Sequence, residues 1–435
     1  MVESIQAGPA SLADWIKQES IPFSPDSPHE LDSALDRLMA SLGGDLRLLG
    51  LGEAMHGCEE LLALRNRIFQ RLVERHGFSA IALESSFPRA RLVNEYIAGR
   101  GPASYEEVQD AGLSHGFGRM EGNRELITWM RAYNAHPSHR LKLQFYGFDS
   151  PTEMTSTDSP RQLLHFVLDY LDCLTPRQGK GGRESERRDR IEALIGREED
   201  WQSFESMMDP DRSLGRSPAA SAIRTETEDL MMQLLSRRPE MVAKSSKESY
   251  LEAVQHLALA RQLLSYHAAM AGRSEDRIAE LLGIRDAMMA DCLAYAVSRE
   301  RSRCGGRVFA YGHNSHLQRG QAEWLLGKNN LVWWPAGSHL QEMLGSGYAA
   351  IGSAVGVCPA QGIGEPEPGS LEAHLATATG PEKLLFTRIV RELAGGQAAA
   401  SLKTRRGSQK NSTYFPLTAK SLTDFDWLAF LDRCG

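Results

Sequence analysis

Leu46-Arg47-Leu48-Leu49-Gly50-Leu51-Gly52-Glu53-Ala54-Met55-His56-Gly57 runs an apolar stretch directly into a carboxylate and an imidazole. The stretch is continuous rather than alternating, which is the pattern of a parallel strand covered on both faces. Residues 79–83, 143–148 and 307–311 repeat it. Helical spacing of apolar positions separates these runs, over 58–75, 121–135, 160–173, 221–236, 249–271 and 276–300. Strand alternating with helix predicts an α/β fold built on a mainly parallel sheet. A weaker α/β pattern resumes at 347–356 and ends at 426–431. Residues 1–155 read as one α/β half, 156–300 as a helical insertion forming a cleft wall, and 301–435 as a second half. Residues 175–200 are dense in Arg, Glu and Gly and predict an exposed loop.

The polar residues fall at the ends of these runs. The first ends in Glu53 and His56, the second in Glu84, the third in Asp149, and the fourth in His313-Asn314-Ser315-His316. Open parallel sheets bind ligands beyond the carboxyl ends of their strands. Such residues also cap helices or sit in solvated turns, and Asp149, ahead of Ser150-Pro151, reads most simply as a turn residue. Glu53, His56, Glu84 and His313 together point to a site. Two arginines interrupt apolar helical stripes: Arg65 between Leu61 and Ile68, and Arg285 between Leu282 and Met289. A guanidinium keeps its proton, so a buried one needs an anionic partner. Two helical turns carry Arg65 about 10 Å along its helix, within reach of the strand ends.

Composition narrows the classes. The chain has 435 residues, is 42% hydrophobic and carries a formal charge of -7, with no basic footprint for nucleic acid. The start, Met1-Val2-Glu3-Ser4, has no basic region followed by an apolar one, and no run of about 18 apolar residues exists. A cytoplasmic protein without membrane association is expected; nothing in the sequence indicates an oligomeric state. The six cysteines, at 58, 173, 292, 304, 358 and 434, show no CxxC pairing, which fits reduced thiols and argues against a disulfide scaffold or structural zinc.

The chemistry follows by what is missing. There is no G-x-S-x-G elbow, P-loop or dinucleotide loop, and Cys58 reads as a small residue at a helix start. Carboxylate, imidazole and guanidinium remain, a set suited to attack by a water whose proton a histidine accepts. Two histidines and a carboxylate also make a catalytic zinc set. However, Glu53-x-x-His56 crosses a strand end and His313-x-x-His316 lies in a loop, so neither is the H-E-x-x-H helix. No cofactor is therefore expected. A metal-dependent hydrolase of another ester, phosphoester or peptide is the alternative, and a non-catalytic binding protein a third reading.

Gly52-Glu53-Ala54-Met55-His56-Gly57 resembles the Gly-Glu-Ala-Thr-His-Gly signature of the erythromycin esterase family. In order along the chain, Arg65, Ala82-Leu83-Glu84, Tyr146-Gly147-Phe148-Asp149, Arg285-Asp286-Ala287-Met288-Met289 and His313-Asn314-Ser315-His316 are similar to its further motifs. The resemblance implies two pseudo-symmetric α/β halves with a long helical hairpin enclosing a deep cleft. It also implies hydrolysis of the macrolactone ester of 14-membered macrolides, conferring resistance to them, with a small-molecule substrate and no metal. By resemblance His56 is the general base, and Glu53, Glu84, Arg65, His313 and His316 support it. Asp149, Arg285, Met55 and His115 are the expected substrate contacts. Met55, Ser85-Ser86-Phe87-Pro88, His115-Gly116-Phe117-Gly118 and Tyr311-Gly312 depart from the usual residues, all near the inferred cleft.

Overall fold

The computed structural model describes residues 11–24, 27–152, 156–174, 183–379, 384–389 and 397–435. The N-terminal stretch read for a targeting signal, and positions 175–182 of the expected loop, lie outside the described residues.

The strands are β1 (Ser20–Phe23), β2 (Leu48–Glu53), β3 (Phe78–Ser86), β4 (Gln144–Asp149), β5 (Arg307–His313), β6 (Ala322–Leu326), β7 (Asn329–Trp333), β8 (Tyr348–Val357), β9 (Leu384–Arg388) and β10 (Trp427–Arg433). Eight of them form one sheet in the order β1-β9-β10-β8-β2-β5-β3-β4. The neighbours from β4 through to β10 are parallel, and β9 and β1 close one edge antiparallel. The fold is therefore α/β on a mostly parallel sheet. Strands from the two ends of the chain interleave in it: β5 lies between β2 and β3, and β2 between β5 and β8.

All four apolar runs are strands of this parallel core, and the sheet explains why they are apolar throughout. Leu48, Ala80, Ala82, Val308 and Ala310 face one hydrophobic cluster, shared with Leu164, Met289 and Leu293. Their alternate neighbours Leu49, Leu51, Ile81, Leu83 and Phe309 face a second, shared with Leu62, Ile68, Leu126 and Ile127. Side chains still alternate, but helices cover both faces, so no position along β2 or β3 is left polar by solvent. The covering helices include Glu59–Arg75, Glu121–Ala135, Arg161–Leu174, Pro218–Ser236, Lys247–Met270 and Arg277–Cys304, each within a few residues of its sequence reading. The last two pack against each other, and Arg277–Cys304 also lies on β3, β4 and β5. Among the described residues no helix is long and apolar enough to cross a membrane.

The expected loop at 175–200 is corrected over its second half, where Arg183–Ile195 is a helix. Ile191 and Ile195, four residues apart, are buried on one side, and Arg187 pairs with Glu226 and donates to Gln233 on the helix Pro218–Ser236. Two isoleucines on one face are enough to dock a helix whose other positions are charged. The β6–β7 hairpin was not legible in the sequence.

Candidate active site

Register places the expected residues together. Glu53 is paired with His313 across β2 and β5, and Leu83 with Tyr311 across β3 and β5. The β3–β4 ladder shifts between Leu83 and Ser86, an irregularity of the kind that re-aims a side chain. Glu84 lies in it. A Cβ on Gly312 would stand 2.7 Å from Phe148 Cζ and 3.0 Å from Glu84 Cβ, so the glycine lets β5 pass close enough for its next amide, His313 N, to donate to Glu84 Oε2 at 2.7 Å.

His56 sits on the loop after β2. Its Nδ1 is 2.5 Å from Glu53 Oε1, and Glu53 Oε2 accepts from the Tyr311 hydroxyl at 2.7 Å. A carboxylate only accepts, so Nδ1 carries the proton and Nε2 of the neutral ring is the acceptor. Nε2 faces Glu84 Oε1 at 3.9 Å, and a quarter of the His56 side chain remains exposed. The loop is pinned from the C-terminal part of the chain: His56 N donates to Thr413 Oγ1, and Asn411 Nδ2 donates to the His56 carbonyl.

Behind His56 lies a buried charge network. Glu84 Oε1 is 3.4 Å from both His316 Nε2 and Arg285 Nη2. His316 Nδ1 donates to Asp286 Oδ1 at 2.8 Å, and Asp286 also accepts from Trp333 Nε1 and the Ala336 amide. Arg285 grips Asp149 through Nε and Nη2 at 3.0 and 2.7 Å, and His115 Nε2 meets Asp149 Oδ2 at 2.8 Å. His115 holds a left-handed backbone at φ 58°, uncommon for a residue other than glycine. Asp149, first read as a turn residue, is a buried anchor for Arg285.

These contacts divide the histidines. Burial works against the His316 cation, but Asp286 and Glu84 outweigh it and push its pKa up to about 10. It is a fixed imidazolium. His313 goes the other way: burial, with His56 nearby, pushes it down to about 3. Its Nε2 donates to the Thr413 carbonyl and its Nδ1 accepts from Ser315, leaving neither nitrogen for proton transfer. Burial disfavours the His56 cation too, but Glu53 and Glu84 outweigh it and raise its pKa above the ordinary 6.5. For Glu84, burial is overcome by His316 and His56, which hold its carboxyl well below the usual range.

Three expected residues do not line the site: Asp149, an expected substrate contact, is fully buried with its oxygens held by Arg285 and His115, and Met55 and Arg65 are buried elsewhere. Met55 is fully buried in the apolar cluster under the sheet; an apolar side chain beside His56 turns inward, and the expected substrate contact is corrected. Arg65 is also fully buried. It donates to Asn66 Oδ1, Asn123 Oδ1 and the Gly122 carbonyl and stands 4.9 Å from the centre of the Tyr311 ring. It therefore backs the residue that holds Glu53 rather than reaching the strand ends. Asn411 and Thr413 were not singled out from the sequence, and Asp286 and Tyr311 were noted only within motifs, with no role given to either. Asp286 had a signal, as a second charge beside Arg285 in an apolar stripe. Tyr311 had one only as a departure from the family's usual residue, and Asn411 and Thr413 had none.

Comparison with known proteins gives the chain's family and fold. The family model described as erythromycin esterase matches residues 73–434. Erythromycin esterase type II of Escherichia coli is 24% identical over 344 residues, 78% of this chain and 76% of that protein. Erythromycin esterase type I of Escherichia coli is 27% identical over 156 residues, 34% and 36% of the two chains. Among solved structures, a Bacillus cereus protein superposes with a TM-score of 0.72 at 18% identity over 97% of both chains. A mutant of the erythromycin esterase EreC in its open conformation superposes at 0.67 and 20%, over 96% of this chain and 98% of that one. At these identities the superpositions establish the fold, and the family match, which spans most of the sequence, establishes the lineage: the chain belongs to the erythromycin esterase family.

Proposed function

We propose that this chain hydrolyses the macrolactone ester of 14-membered macrolides of the erythromycin type, inactivating them, with His56 as general base and no metal. The observation that carries this reading is the orientation of His56, Nδ1 on Glu53 and Nε2 turned to Glu84 across 3.9 Å. A water held by Nε2 and Glu84 gives its proton to Nε2 as its oxygen attacks the lactone carbonyl. Glu53 stabilises the imidazolium that forms. When the tetrahedral intermediate collapses, the same imidazolium returns the proton to the departing alkoxide, leaving an open-chain hydroxy acid. His316 and Arg285 place fixed positive charge behind Glu84 and keep it ionised.

Three features support a macrolide. Aromatic rings flank the imidazoles: Phe117 is 5.2 Å from His56, and Phe415 is 4.8 Å from His313 with Trp324 beyond it, suiting an apolar lactone. A cavity of about 400 Å³ lined by Ser315, Trp324, Tyr414 and Phe415 lies alongside. With Asp149 paired to Arg285, Asp286 to His316 and the buried Arg65 cation behind Tyr311, Glu53 and Glu84 leave one negative charge in excess, favourable to a cationic amino sugar. The metal-free reading rests on the donors. His313 has both nitrogens committed, and His316 has Nδ1 on Asp286 and Nε2 facing Glu84, whereas a metal ligand must be a neutral imidazole with an available lone pair. Purified protein incubated with erythromycin, with and without brief EDTA, tests the reading by mass spectrometry. Gain of one water at an EDTA-insensitive rate is expected; unchanged antibiotic across a panel of 14- and 16-membered macrolides overturns it.

A further inference from the structure

Three cysteines far apart in sequence meet at the edge of the sheet where the strands end. Cys58 begins the helix Glu59–Arg75, two residues after His56. Cys358 follows β8, and Cys434 follows β10. All three are buried, and their sulfur atoms all lie within 4.8 Å of one another, with Cys58 Sγ and Cys434 Sγ at 3.4 Å. Among the described residues this is the only such group of three candidate ligands. The adjoining carboxylate is Glu60, whose Oε2 is 3.4 Å from Cys58 Sγ while its Oε1 accepts from the Gly435 amide.

We propose that Cys58, Cys358 and Cys434 form a binding site for a single thiophilic divalent cation of the zinc class, with Glu60 completing a four-coordinate shell. Zinc–sulfur bonds of about 2.3 Å at tetrahedral angles set ligand sulfurs about 3.8 Å apart. The Cys58–Cys434 separation of 3.4 Å and the 4.8 Å limit on the others lie within about an ångström of that value, so little adjustment is needed. Three sulfurs and a carboxylate oxygen are a closed set for a d10 ion, and a closed set is structural rather than catalytic. On binding, the three thiols lose their protons to solvent and the ion takes their place.

The position gives the ion a task. It would tie the end of β8 and the end of β10 to the residue that starts the helix after the His56 loop. The same loop is already pinned by Gln361 Nε2, which donates to the Gly57 carbonyl from the turn after Cys358. The ligands close chain segments of about 300 and 76 residues, so the clip restricts the unfolded chain as well as bracing the folded one. It lies outside the residues proposed for hydrolysis, and its presence or absence is read without turnover.

The test uses the full-length reduced protein, stripped with chelator under a phosphine reductant and then titrated with Cd(II). The expected result is a thiolate-to-cadmium absorbance that saturates at one ion per chain, with Zn(II) competing for the site and raising the melting temperature. Cys434→Ser, a near-isosteric change, should weaken binding by more than the roughly 100-fold that loss of an outer-shell partner costs. It should also abolish the zinc-dependent rise in melting, whereas Cys173→Ser and Cys304→Ser change neither. Absence of the absorbance in a folded wild-type chain, or saturation that Cys434→Ser leaves intact, overturns the proposal. So does a Cys58–Cys434 disulfide in the protein as isolated, seen as a mass two hydrogens lighter.

Discussion

Tyr311 and His56 hold the two oxygens of one carboxylate: the tyrosine hydroxyl donates to Glu53 Oε2 at 2.7 Å, and His56 Nδ1 lies 2.5 Å from Oε1. Glu53 is thereby held against Nδ1, and Glu84 lies on the far side of the ring, where the proposed mechanism puts the reacting water. Glu53→Gln keeps the shape but can present an amide N–H to Nδ1, favouring the wrong tautomer. Its kcat should fall by about 100-fold or more with KM little changed, since loss of a comparable orienting carboxylate costs up to about 10⁴. Steady-state kinetics on the folded variant check this; a wild-type kcat would remove Glu53 from the mechanism.

Carboxylates on both sides raise the pKa of His56 above 6.5, and a general base works only when neutral. Activity should therefore rise with pH along an acid limb centred above 6.5. Removing one source of the shift, by Glu84→Gln, should move that limb to lower pH even as the rate drops. A kcat/KM profile for each protein decides, and a limb unmoved by the substitution would separate Glu84 from the base.

His316 contributes to stability with a definite sign. Its folded pKa of about 10 exceeds the unfolded value near 6.5, so the stabilisation is complete below 6.5 and is lost as pH rises through 10. Asp286→Asn breaks a buried ion pair and should cost about 3–5 kcal/mol at neutral pH. In urea unfolding, the gap between wild type and Asp286→Asn should narrow at pH 10. A gap that is constant with pH would mean His316 is not the cation described.

Arg65 separates support from catalysis. Arg65→Met strands the side-chain oxygens of Asn66 and Asn123, while the Gly122 carbonyl keeps Asn66 Nδ2 as donor, so a stability loss of about 2–4 kcal/mol is expected. The turnover of the remaining folded protein should stay within about tenfold of wild type. Denaturation curves alongside kinetics normalised to folded protein distinguish this from a direct role, which would cost far more.

The sheet was legible because a strand covered on both faces must be apolar at every position, and the polar residue that ends it, as at Glu53, Glu84 or His313, is then conspicuous. Arg285 and Arg65 were legible as charges inside apolar stripes, although where Arg65 points depended on Asn66 and Asn123, which no periodicity marks. Tyr311 belonged to an apolar run and its hydroxyl was invisible there. Asn411 and Thr413 lie in irregular chain some 350 residues from His56 and reach it only through tertiary structure. Met55 was misread because adjacency to His56 says nothing about which way a side chain turns after a strand. The cysteines illustrate the same limit. Absent CxxC spacing rules out ligands on a single turn, but not the three strand and helix ends that bring Cys58, Cys358 and Cys434 together.

Mass analysis of erythromycin after exposure to wild-type protein and to His56→Asn, at equal folded concentration, bears most directly on a water activated by His56. The wild type should yield an open-chain acid heavier by one water, and His56→Asn, with an unchanged melting temperature, should yield none above background. Intact erythromycin with the wild type, or ring opening by His56→Asn at the wild-type rate, would contradict it.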